Sequence, residues 1–581
     1  MGTVAWIPAR TFRIARLGAP LPLRSGGARV FGLCERLRPS EGRTTIEALL
    51  PPAVRGWNYA TRDEVVSIRR EVRRILLAGL SLLLFGCAGD NASSGSTGPG
   101  ILIEGALVLD GTGAEGIVTD VRIRGGRIEA VGELSATEGE LVIDATGLAL
   151  APGFIDTHSH HDGGLLDNLE ALAALSQGIT TIVVGQDGGS PFPLSDFFQR
   201  LEATPPTVNV ASYVGHAVVR RQVLAEDYRR PASASEVKAM QEVLRSELGA
   251  GALGLSTGLE YDVGLDASTE EVIALAHEAA AVGGRYISHM RSEDRHLMES
   301  IEEIIRIGRE ADIPVQISHL KLAMKSLWGS SPEILARLDR AREQGVDITA
   351  DVYPYEFWQS TMTVLFPERD FDNRETVQFV LDELAPPEGM FIARYDAEPS
   401  YVGLSLERIA ELRGEDPVTT YMALIAESQA LAEQTGRGTE SIIASSMHPD
   451  DIANLFAWPH TNVSSDGSLA GRHPRGFGSF TRVLREHVRE TGRLSLPDAI
   501  RKMTSASAEH VGILRRGTIR PGAYADLVLF DPETVADRAT PDAPNEPSVG
   551  IDRVLVNGAI VFENGHVTEA RPGLVIRRND R

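Results

Sequence analysis

Cysteine is nearly absent from this chain, which has two in 581 residues. Both of them, Cys34 and Cys87, lie near the start of the sequence. The long remainder therefore has no disulfide and no thiol that could hold a metal. Any metal site in it must be built from nitrogen and oxygen ligands.

The segment before Cys87 contains an apolar run, but no run long enough to cross a membrane. The run at residues 75–85 is too short to span a bilayer, follows several arginines and is followed at once by Gly86 and Cys87. A charged flank, a short apolar run and a small residue are typical of a secretory signal, and the ending "LFGC" resembles the lipobox of bacterial lipoproteins. We therefore interpret residues 65–87 as a lipoprotein-type signal and 88–100 as a Ser/Gly linker. We expect an exported protein that a lipid on Cys87 anchors to a bacterial membrane, facing the periplasm or cell exterior.

Residues 1–64 precede this signal, although signals of this kind stand close to the start of a protein. They show neither a clean period nor a core pattern. We interpret them as an over-extended or disordered N-terminus. Our hypothesis is that translation begins near Val65, Val66 or Val72.

Positive charge is scarce after the leading segment. Residues 1–86 carry 14 arginines and six acidic residues, whereas the rest of the chain carries 43 basic and 74 acidic residues. An acidic body of this kind repels the phosphate backbone, which argues against nucleic acid as a partner. We expect a small-molecule substrate instead.

The two ends of this acidic body share a pattern of short strands. Residues 101–152 alternate in bursts such as "ILIEGALVLDG", with Gly and Asp at the turns, and residues 506–581 contain a matching set such as "VLVNGAIVFENGHV". A period of two between turn residues predicts small antiparallel strands. We expect the two ends to form one small β-sandwich that flanks the middle of the chain.

The middle, residues 153–505, alternates strand-like and helix-like segments. The strand candidates are "GFIDTH", "TTIVVG", "NVASYVGH", "GALGLS", "RYISHM", "VQISHLK", "DITADVYPY" and "TNVSSDG". Amphipathic runs lie between several of them, so the pattern predicts an α/β fold with a (β/α)8 TIM-like barrel. The stretch at about 357–441 is too long for a plain crossover and is expected to be an insertion near the mouth.

Histidine and aspartate recur where these strands end, and in a barrel the carboxyl ends of the strands meet at one mouth. The residues are His158 and His160 after strand one, His289 after strand five, His319 after strand six and Asp466 after strand eight. Residues two apart on a strand point to the same side, so His158 and His160 can ligate one ion. Each residue alone is ordinary, but together they predict a metal site. His161 is expected beside this site, and His216 is a further mouth residue without an assigned role.

The order of these residues along the chain resembles the amidohydrolase superfamily. Over about residues 101–578 the likeness extends to its N-acyl-D-amino-acid deacylase (D-aminoacylase) branch, through "GFIDTHSHHD", "GITTIVVGQDG", "ISHMRSE", "ISHLKLAMKSLWG", "HPRGFGSF" and "GTIRPGAYADLVLFDP". The resemblance implies a zinc site in which His289 and His319 hold the main ion. It also implies that His158 and His160 define a neighbouring position.

The chain departs from this branch after strand two, where members typically place a bridging cysteine. The loop "VGQDGGS" puts Asp187 there. A carboxylate can ligate zinc and bridge two ions, so Asp187 is the candidate replacement; the alternative is a solvated turn aspartate. A carboxylate hardens the site, which would favour Mn²⁺ or Co²⁺ over Zn²⁺ or allow two ions. No lysine stands in "GALGLSTGLEY", so a carbamylated lysine bridge, and with it a hydantoinase or dihydroorotase, is not supported.

Zinc lowers the pKa of a bound water toward about 7, so the expected reaction is attack of a metal-bound hydroxide on an amide. Asp466 is the candidate catalytic residue, because a carboxylate there would take the proton of the water and pass it to the leaving amine. The resemblance implies N-acyl-D-amino acids as substrates, with Lys321 and Arg475 as the basic residues that bind the carboxylate. Tyr355 and Ser360 are further candidate contacts.

Two other interpretations stay open. One is a hydrolase of the same superfamily that acts on cyclic amides or dipeptides. The other is a binding lipoprotein that has kept the fold without turnover.

Overall fold

The computed structural model describes residues 100–578 and 580. The segment 1–64, the predicted lipoprotein-type signal with Cys87, and the predicted linker up to residue 99 therefore lie outside the described residues. Within the described part, no helix is both long enough and apolar enough to cross a membrane.

Strands and helices follow one another along the whole described range. The strands are β1 Ile101–Val108, β2 Ile117–Arg124, β3 Arg127–Gly132, β4 Leu141–Asp144, β5 Ala149–Pro152, β6 Phe154–Asp156, β7 Ile179–Val184, β8 Asn209–Ser212, β9 Val214–Gly215, β10 Gly254–Gly258, β11 Arg285–His289, β12 Val315–Ile317, β13 Ile348–Val352, β14 Phe357–Ser360, β15 Met390–Tyr395, β16 Glu440–Ser445, β17 Thr461–Val463, β18 Leu527–Phe530, β19 Ile551–Val556, β20 Ala559–Glu563 and β21 His566–Val567. The α-helices are α1 Leu172–Leu175, α2 Leu194–Ala203, α3 His216–Leu224, α4 Ala234–Gly249, α5 Thr269–Ala281, α6 Leu297–Ala311, α7 Ser331–Glu343, α8 Arg374–Phe379, α9 Leu406–Arg413, α10 Pro417–Thr435, α11 Pro449–Ala457, α12 Arg475–Arg482, α13 Leu496–Met503 and α14 Ser505–Val511.

Two parallel sheets make up the middle of the chain. One has the strand order β6-β7-β8 and the other β17-β13-β12-β11-β10-β9. β8 and β9 are two parts of one extended segment, separated by Tyr213. Each of the eight predicted strand segments contains at least one of these strands, and helices follow most of them. The fold is of the TIM-barrel α/β type, as predicted.

The sequences of these elements explain why they form where they do. β7 is "ITTIVV", a run of β-branched residues that are all buried, as in a parallel sheet covered on both faces. α6 places Ile301, Ile304 and Ile305 on one buried stripe and its charged residues on the other face. The helices therefore cover the sheet, and the strand ends are left to carry polar side chains.

A separate nine-stranded sheet joins the two ends of the described chain. Its order is β21-β20-β19-β18-β5-β1-β2-β3, with β4 pairing on β1. The join is the antiparallel pair β5 and β18, in which Ala151 lies opposite Val528. The two flanking segments thus pair with each other, as predicted, and they do so in one sheet.

The region predicted as an insertion contains its own small sheet, which ends at Ser445. β14 and β15 both pair with β16 in antiparallel fashion, α9 packs on β15, and α10 packs against both α8 and α9. The hydroxyl of Tyr421 in α10 donates to the carbonyl of Met362 at 2.9 Å. This contact fixes the loop after β14, which lines the mouth described below.

Candidate metal centre and substrate cleft

Six candidate ligands stand at or just after the carboxyl ends of the parallel strands. His158 and His160 follow β6, Asp187 follows β7, His289 ends β11, His319 follows β12 and Asp466 follows β17. The side chains of all six except His160 are buried. The structure brings all six together.

The first group of ligands consists of His158, His160, Asp187 and Asp466, whose ligand atoms all lie within 4.8 Å of one another. The Nε2 atom of His160 lies 3.2 Å from an oxygen of Asp187 and 3.2 Å from Oδ1 of Asp466. The Nε2 atom of His158 lies 3.4 Å and 3.6 Å from the same two carboxylates. Two imidazoles and two carboxylates form a donor set that suits zinc, manganese or cobalt.

The second group consists of Asp187, His289 and His319. The Nδ1 atom of His289 and the Nε2 atom of His319 face each other at 3.0 Å, and Nε2 of His319 lies 3.6 Å from Oδ1 of Asp187. Asp187 belongs to both groups. Its carboxylate is therefore placed between two neighbouring positions for an ion.

Buried polar atoms without partners test whether a metal fits here. Among the described residues, neither ring nitrogen of His158 has a hydrogen-bond partner, and neither does Oδ1 of Asp187. Such atoms are costly to bury unless something binds them. Nε2 of His158 and Oδ1 of Asp187 are typical metal donors and lie 3.4 Å apart, so these residues fit a divalent ion.

The backbone is strained at three of the six ligands. Asp187, His319 and Asp466 have φ angles of 53°, 33° and 47°, in the left-handed region that residues other than glycine rarely adopt. Strain of this kind persists where the surrounding structure fixes it, and it clusters at functional sites. It aims these side chains at the common centre.

The charges of the centre support one another. Although burial opposes ionisation, His158 and His319 lower the pKa of Asp187 well below its usual range. Burial also opposes the charged form of His160, but Asp187 and Asp466 raise its pKa to about 9. Carboxylates that remain ionised at neutral pH are available to bind a cation.

Arg475 extends the centre toward the substrate side. It begins α12, and its Nη1 atom lies 2.6 Å from Oδ2 of Asp466. Its guanidinium also lies over the ring of Tyr353, 5.0 Å from the centroid. Burial opposes ionisation of Asp466, but Arg475 and the histidines hold its pKa well below the usual range.

Lys321 is the second buried cation of the cleft. Its Nζ atom lies 2.7 Å from both carboxylate oxygens of Glu293 and 2.6 Å from Nδ1 of His319. Burial opposes the charged form of Lys321, but Glu293 raises its pKa. The Lys321–Glu293 pair thus contacts His319 at Nδ1, while Nε2 of the same ring faces the centre.

The open space in front of these residues is a cleft with two halves. The inner half is lined by His289, His319, Lys321 and Tyr353, and the outer half by His160 and Asp187. Ser360, Asp466 and Arg475 line both halves. The candidate contacts Lys321, Arg475 and Ser360 therefore all face the cleft.

A family model of the amidohydrolase family matches residues 141–385 and 375–562. This chain belongs to the amidohydrolase family.

Relatives and solved structures agree. The chain is 38% identical over 503 residues to an N-acyl-D-glutamate deacylase of Alcaligenes xylosoxydans xylosoxydans, a match that covers 82% of this chain and 96% of the relative. It is 34% identical to a D-aminoacylase of the same organism, with 82% and 97% covered. The crystal structure of an N-acyl-D-glutamate deacylase from Bordetella bronchiseptica, complexed with zinc and a phosphonate inhibitor, is similar with a TM-score of 0.73, 37% identity and 82% and 99% covered. The predicted membership of the D-aminoacylase branch of the amidohydrolases is confirmed.

Tyr355 is one candidate that the structure of this amidohydrolase moves away from the cleft. It is fully buried, its hydroxyl lies 3.5 Å from the carbonyl of Pro474, and Arg482 stacks on its ring. A bend at Pro354, closed by a hydrogen bond of 3.1 Å from the amide of Tyr355 to the carbonyl of Tyr353, turns the two tyrosines in different directions, and Tyr353 is the one that lines the cleft. The choice of Tyr355 was wrong for this reason.

Two other histidines lie outside the centre. His161 is buried and contacts the hydroxyl of Ser159 through Nδ1. His216 is also buried, and its Nε2 atom lies 2.8 Å from Glu271, which also binds Arg220. It holds α3 against α5 and is not a mouth residue, so that expectation was wrong.

Three acidic residues of the site were missed by sequence reasoning. Oδ1 of Asp351 accepts hydrogen bonds from the amide of His319 at 2.9 Å and from the hydroxyl of Ser464 at 2.7 Å. The same oxygen lies 3.7 Å from Nδ1 of His158. Glu260 lies 2.8 Å from Nε2 of His289. Asp156 accepts from the amide of Ser465 at 2.9 Å and joins β6 to the loop after β17. Each lies within a quoted motif and near a strand end, which is the signal that could have found it.

Proposed function

We propose that this amidohydrolase hydrolyses N-acyl-D-amino acids to a carboxylate and a D-amino acid, with the help of a divalent metal. The observation that carries the proposal is the 2.6 Å contact between Arg475 and Asp466. In an N-acyl amino acid, the amide nitrogen and the carboxylate are attached to the same carbon atom. A cation for the carboxylate must therefore lie beside the group that handles the proton of the amide, and this pair is so arranged.

His289 and His319 would hold the main ion, His158 and His160 a neighbouring one, and Asp187 would lie between them. We propose Zn²⁺, one or two ions, with Mn²⁺ or Co²⁺ as alternatives, because imidazole and carboxylate donors suit all three. When bound, such an ion supplies a Lewis acid for the amide carbonyl and makes a neighbouring water more acidic.

Asp466 is the proton carrier. Its pKa is held low, so its carboxylate is ionised and can accept a proton from the attacking water. The same carboxylate then donates this proton to the nitrogen of the leaving amine, which would otherwise depart as an unstable anion. The Nη1 contact with Arg475 orients the carboxylate for both transfers.

Arg475 binds the α-carboxylate of the substrate, since its planar fork matches a carboxylate in two parallel hydrogen bonds. Lys321, Ser360 and Tyr353 line the same half of the cleft and provide further donors. Among the described residues, the hydroxyl of Tyr353 is buried without a hydrogen-bond partner, which leaves it available to the substrate.

Two finer structural points belong to the proposal. The parallel sheets close into a (β/α)8 barrel, as the parallel bridge between Ser159 and Gly467 and the hydrogen bond of 2.9 Å from the amide of Leu253 to Ser212 suggest. The flanking sheet curls into a small sandwich around its own core, which includes Ile103, Val121 and Leu529.

The lipid anchor on Cys87 is a proposal that rests on the sequence alone. A diacylated or triacylated cysteine would be sufficient for stable attachment. Mass spectrometry of the native protein would find a lipidated Cys87 as the first residue; peptides from residues 1–60 would refute both the signal and the late start.

The experiment that tests the function offers the metal-loaded protein matched D and L forms of N-acetyl amino acids, a dihydropyrimidine and dipeptides. Release of acetate from the D forms is the expected result. Hydrolysis of L forms only, or of cyclic amides or dipeptides only, would refute the proposed substrate class. Binding of N-acetyl-D-amino acids without turnover of any compound would instead favour a binding lipoprotein.

A further inference from the structure

A second cavity, of about 440 Å³, opens at the end of the parallel sheet opposite the metal centre. Arg285 and Val315, which line it, begin β11 and β12, Thr349 lies near the start of β13, and His460 directly precedes β17. The metal ligands stand at the carboxyl ends of the parallel strands, so this cavity lies at their amino ends. Within the described chain, its lining and that of the cleft have no residue in common.

Three guanidinium groups from three different elements line the cavity. Arg285 belongs to β11, Arg342 to the end of α7 and Arg501 to α13. Arg342 donates to the carbonyl of Ile348, and Arg501 donates to the carbonyl of Pro459 at 3.1 Å. The guanidinium of Arg285 has no ion pair or hydrogen bond among the described residues, so all of its donors are available to a ligand.

His510 of α14 lies among these cations. Burial and the neighbouring His460 lower the pKa of His510 to about 3, and the three arginines of the cavity act in the same direction. Neighbouring positive charge disfavours protonation of an imidazole. The potential in the cavity is therefore positive.

Two carboxylates also line the cavity, but they do not cancel this charge. Asp347 is exposed and lies 3.2 Å from Nη1 of Arg342, and Glu509 is exposed as well. Exposed charges are screened by solvent and salt, whereas the three arginines are half-buried. The cavity thus keeps an excess of positive charge in a chain that is otherwise acidic.

The number of guanidinium groups points to the chemistry of the ligand. One planar fork is enough for a carboxylate. A phosphate group has three terminal oxygens and close to two negative charges at neutral pH, so it can use all three arginines. The cavity is also within the range of volumes of small-molecule sites, which leaves room beside the phosphate group.

Gln316 adds a hydrogen-bond acceptor to this lining. Its Nε2 atom donates to Oδ2 of Asp351 at 2.7 Å, which fixes the orientation of the amide. Among the described residues, its Oε1 atom is buried without a partner. A buried acceptor of this kind is costly unless a donor binds it, and a hydroxyl group of a ligand is such a donor.

We propose that this cavity binds a small phosphate-bearing molecule. Arg285, Arg342 and Arg501 hold the phosphate group, and Gln316 accepts a hydrogen bond from a hydroxyl group of the same ligand. Free phosphate and phosphate monoesters of small polyols share this chemistry. Since the site lies at the far end of the strands from the metal centre, it does not depend on the deacylase reaction proposed above.

The first test measures binding to the metal-loaded full chain by isothermal titration calorimetry at constant ionic strength. The probes are inorganic phosphate, ribose 5-phosphate and ribose. We expect both phosphates to bind and ribose not to bind, and the tighter of the two phosphates identifies the source of the phosphate group. Binding of neither phosphate, or binding of ribose as tight as that of ribose 5-phosphate, would overturn the proposal.

A phosphate can also bind a metal ion, so the second test separates the two ends of the strands. Arg285→Met is expected to weaken binding of the tighter phosphate by about 10-fold or more, since a charge-assisted hydrogen bond is lost. Arg340→Met removes an exposed arginine of α7 outside the cavity and should bind like the wild type. Arg501→Met is a second cavity variant in case Arg285→Met does not fold. Circular dichroism and metal content identify folded protein. Wild-type affinity in a folded cavity variant would overturn the proposal.

Discussion

Arg475 and Asp466 form a buried pair in which a guanidinium nitrogen lies 2.6 Å from a carboxylate oxygen. Arg475 is fixed because its amide donates to Nδ1 of His473 at 3.0 Å, and Asp466 because its backbone is held in the left-handed region. The pair joins recognition of the substrate carboxylate to transfer of the proton.

Arg475→Ala is therefore expected to lower kcat/KM for N-acetyl-D-leucine by about 100-fold or more, because a charge-assisted pair at a buried site is lost. For the matching carboxamide, N-acetyl-D-leucinamide, the loss should be smaller, since that substrate carries no carboxylate. Steady-state kinetics on both compounds checks this. Arg472→Ala, at an exposed position nearby, is the control and should behave like the wild type. Equal losses on both compounds would assign Arg475 to structure instead of carboxylate binding.

Asp187 is shared by both groups of candidate ligands, so its removal should affect metal binding more than any other single carboxylate. Asp187→Ala is expected to lose at least one equivalent of metal after dialysis, measured by inductively coupled plasma mass spectrometry. Asp167→Ala, at an exposed position in the loop after β6, should retain the wild-type content. If Asp187→Ala keeps its full metal content, Asp187 is a turn residue and not a ligand.

Tyr353 and Tyr355 provide a matched pair. Tyr353→Phe removes a hydroxyl that lines the cleft and is expected to lower kcat/KM by about 10-fold, chiefly through KM, since one hydrogen bond to a charged group is lost. Tyr355→Phe removes a hydroxyl that only approaches Pro474 and should leave kcat/KM nearly unchanged. The opposite pattern would restore the sequence-based choice of Tyr355.

Glu440 makes the stability of the loop after β14 dependent on pH, because its carboxylate accepts from the amide of Met362. Burial raises its pKa to about 7, above the ordinary value of 4.5, even though the amide of Met362 lowers it. The stability that this carboxyl contributes is thus fully present below about pH 4.5 and is lost as the pH rises through about 7.

Glu440→Gln cannot ionise and removes this dependence. The free energy of unfolding of the wild type relative to the variant should fall by about 2 kcal/mol between pH 5 and pH 8.5, from the size of the pKa shift. Urea denaturation of both proteins at the two pH values measures it. The same difference at both values would show that Glu440 does not titrate in this range.

Much of this architecture is visible in the sequence because it depends on local pattern. The eight parallel strands are short apolar runs between turn residues, and the six candidate ligands stand where those runs end. His158 and His160 share a direction because residues two apart on a strand do so. Asp187 was found because a known family pattern has a ligand at that place.

What the sequence did not reveal depends on which way a side chain turns in three dimensions. Tyr353 and Tyr355 are separated by one residue, and the turn at Pro354 sends only the first into the cleft. Asp351 looks like any acid in a strand until β12, β13 and β17 are aligned beside one another. The side chains that the insertion adds to the cleft, such as Trp358 and Leu365, lie on a segment whose path no periodic pattern predicts.

We propose that Asp466 and Arg475 direct hydrolysis of a D-configured N-acyl amino acid at a metal centre. The most direct measurement is kcat/KM for the D and L forms of N-acetylmethionine, in the metal-loaded wild type and in Asp466→Asn at equal metal content. We expect a D over L ratio of about 100 or more in the wild type and a loss of about 1,000-fold in the D rate of the variant, the range of a removed proton carrier. Comparable rates for the two enantiomers, or an Asp466→Asn variant as active as the wild type, would contradict it.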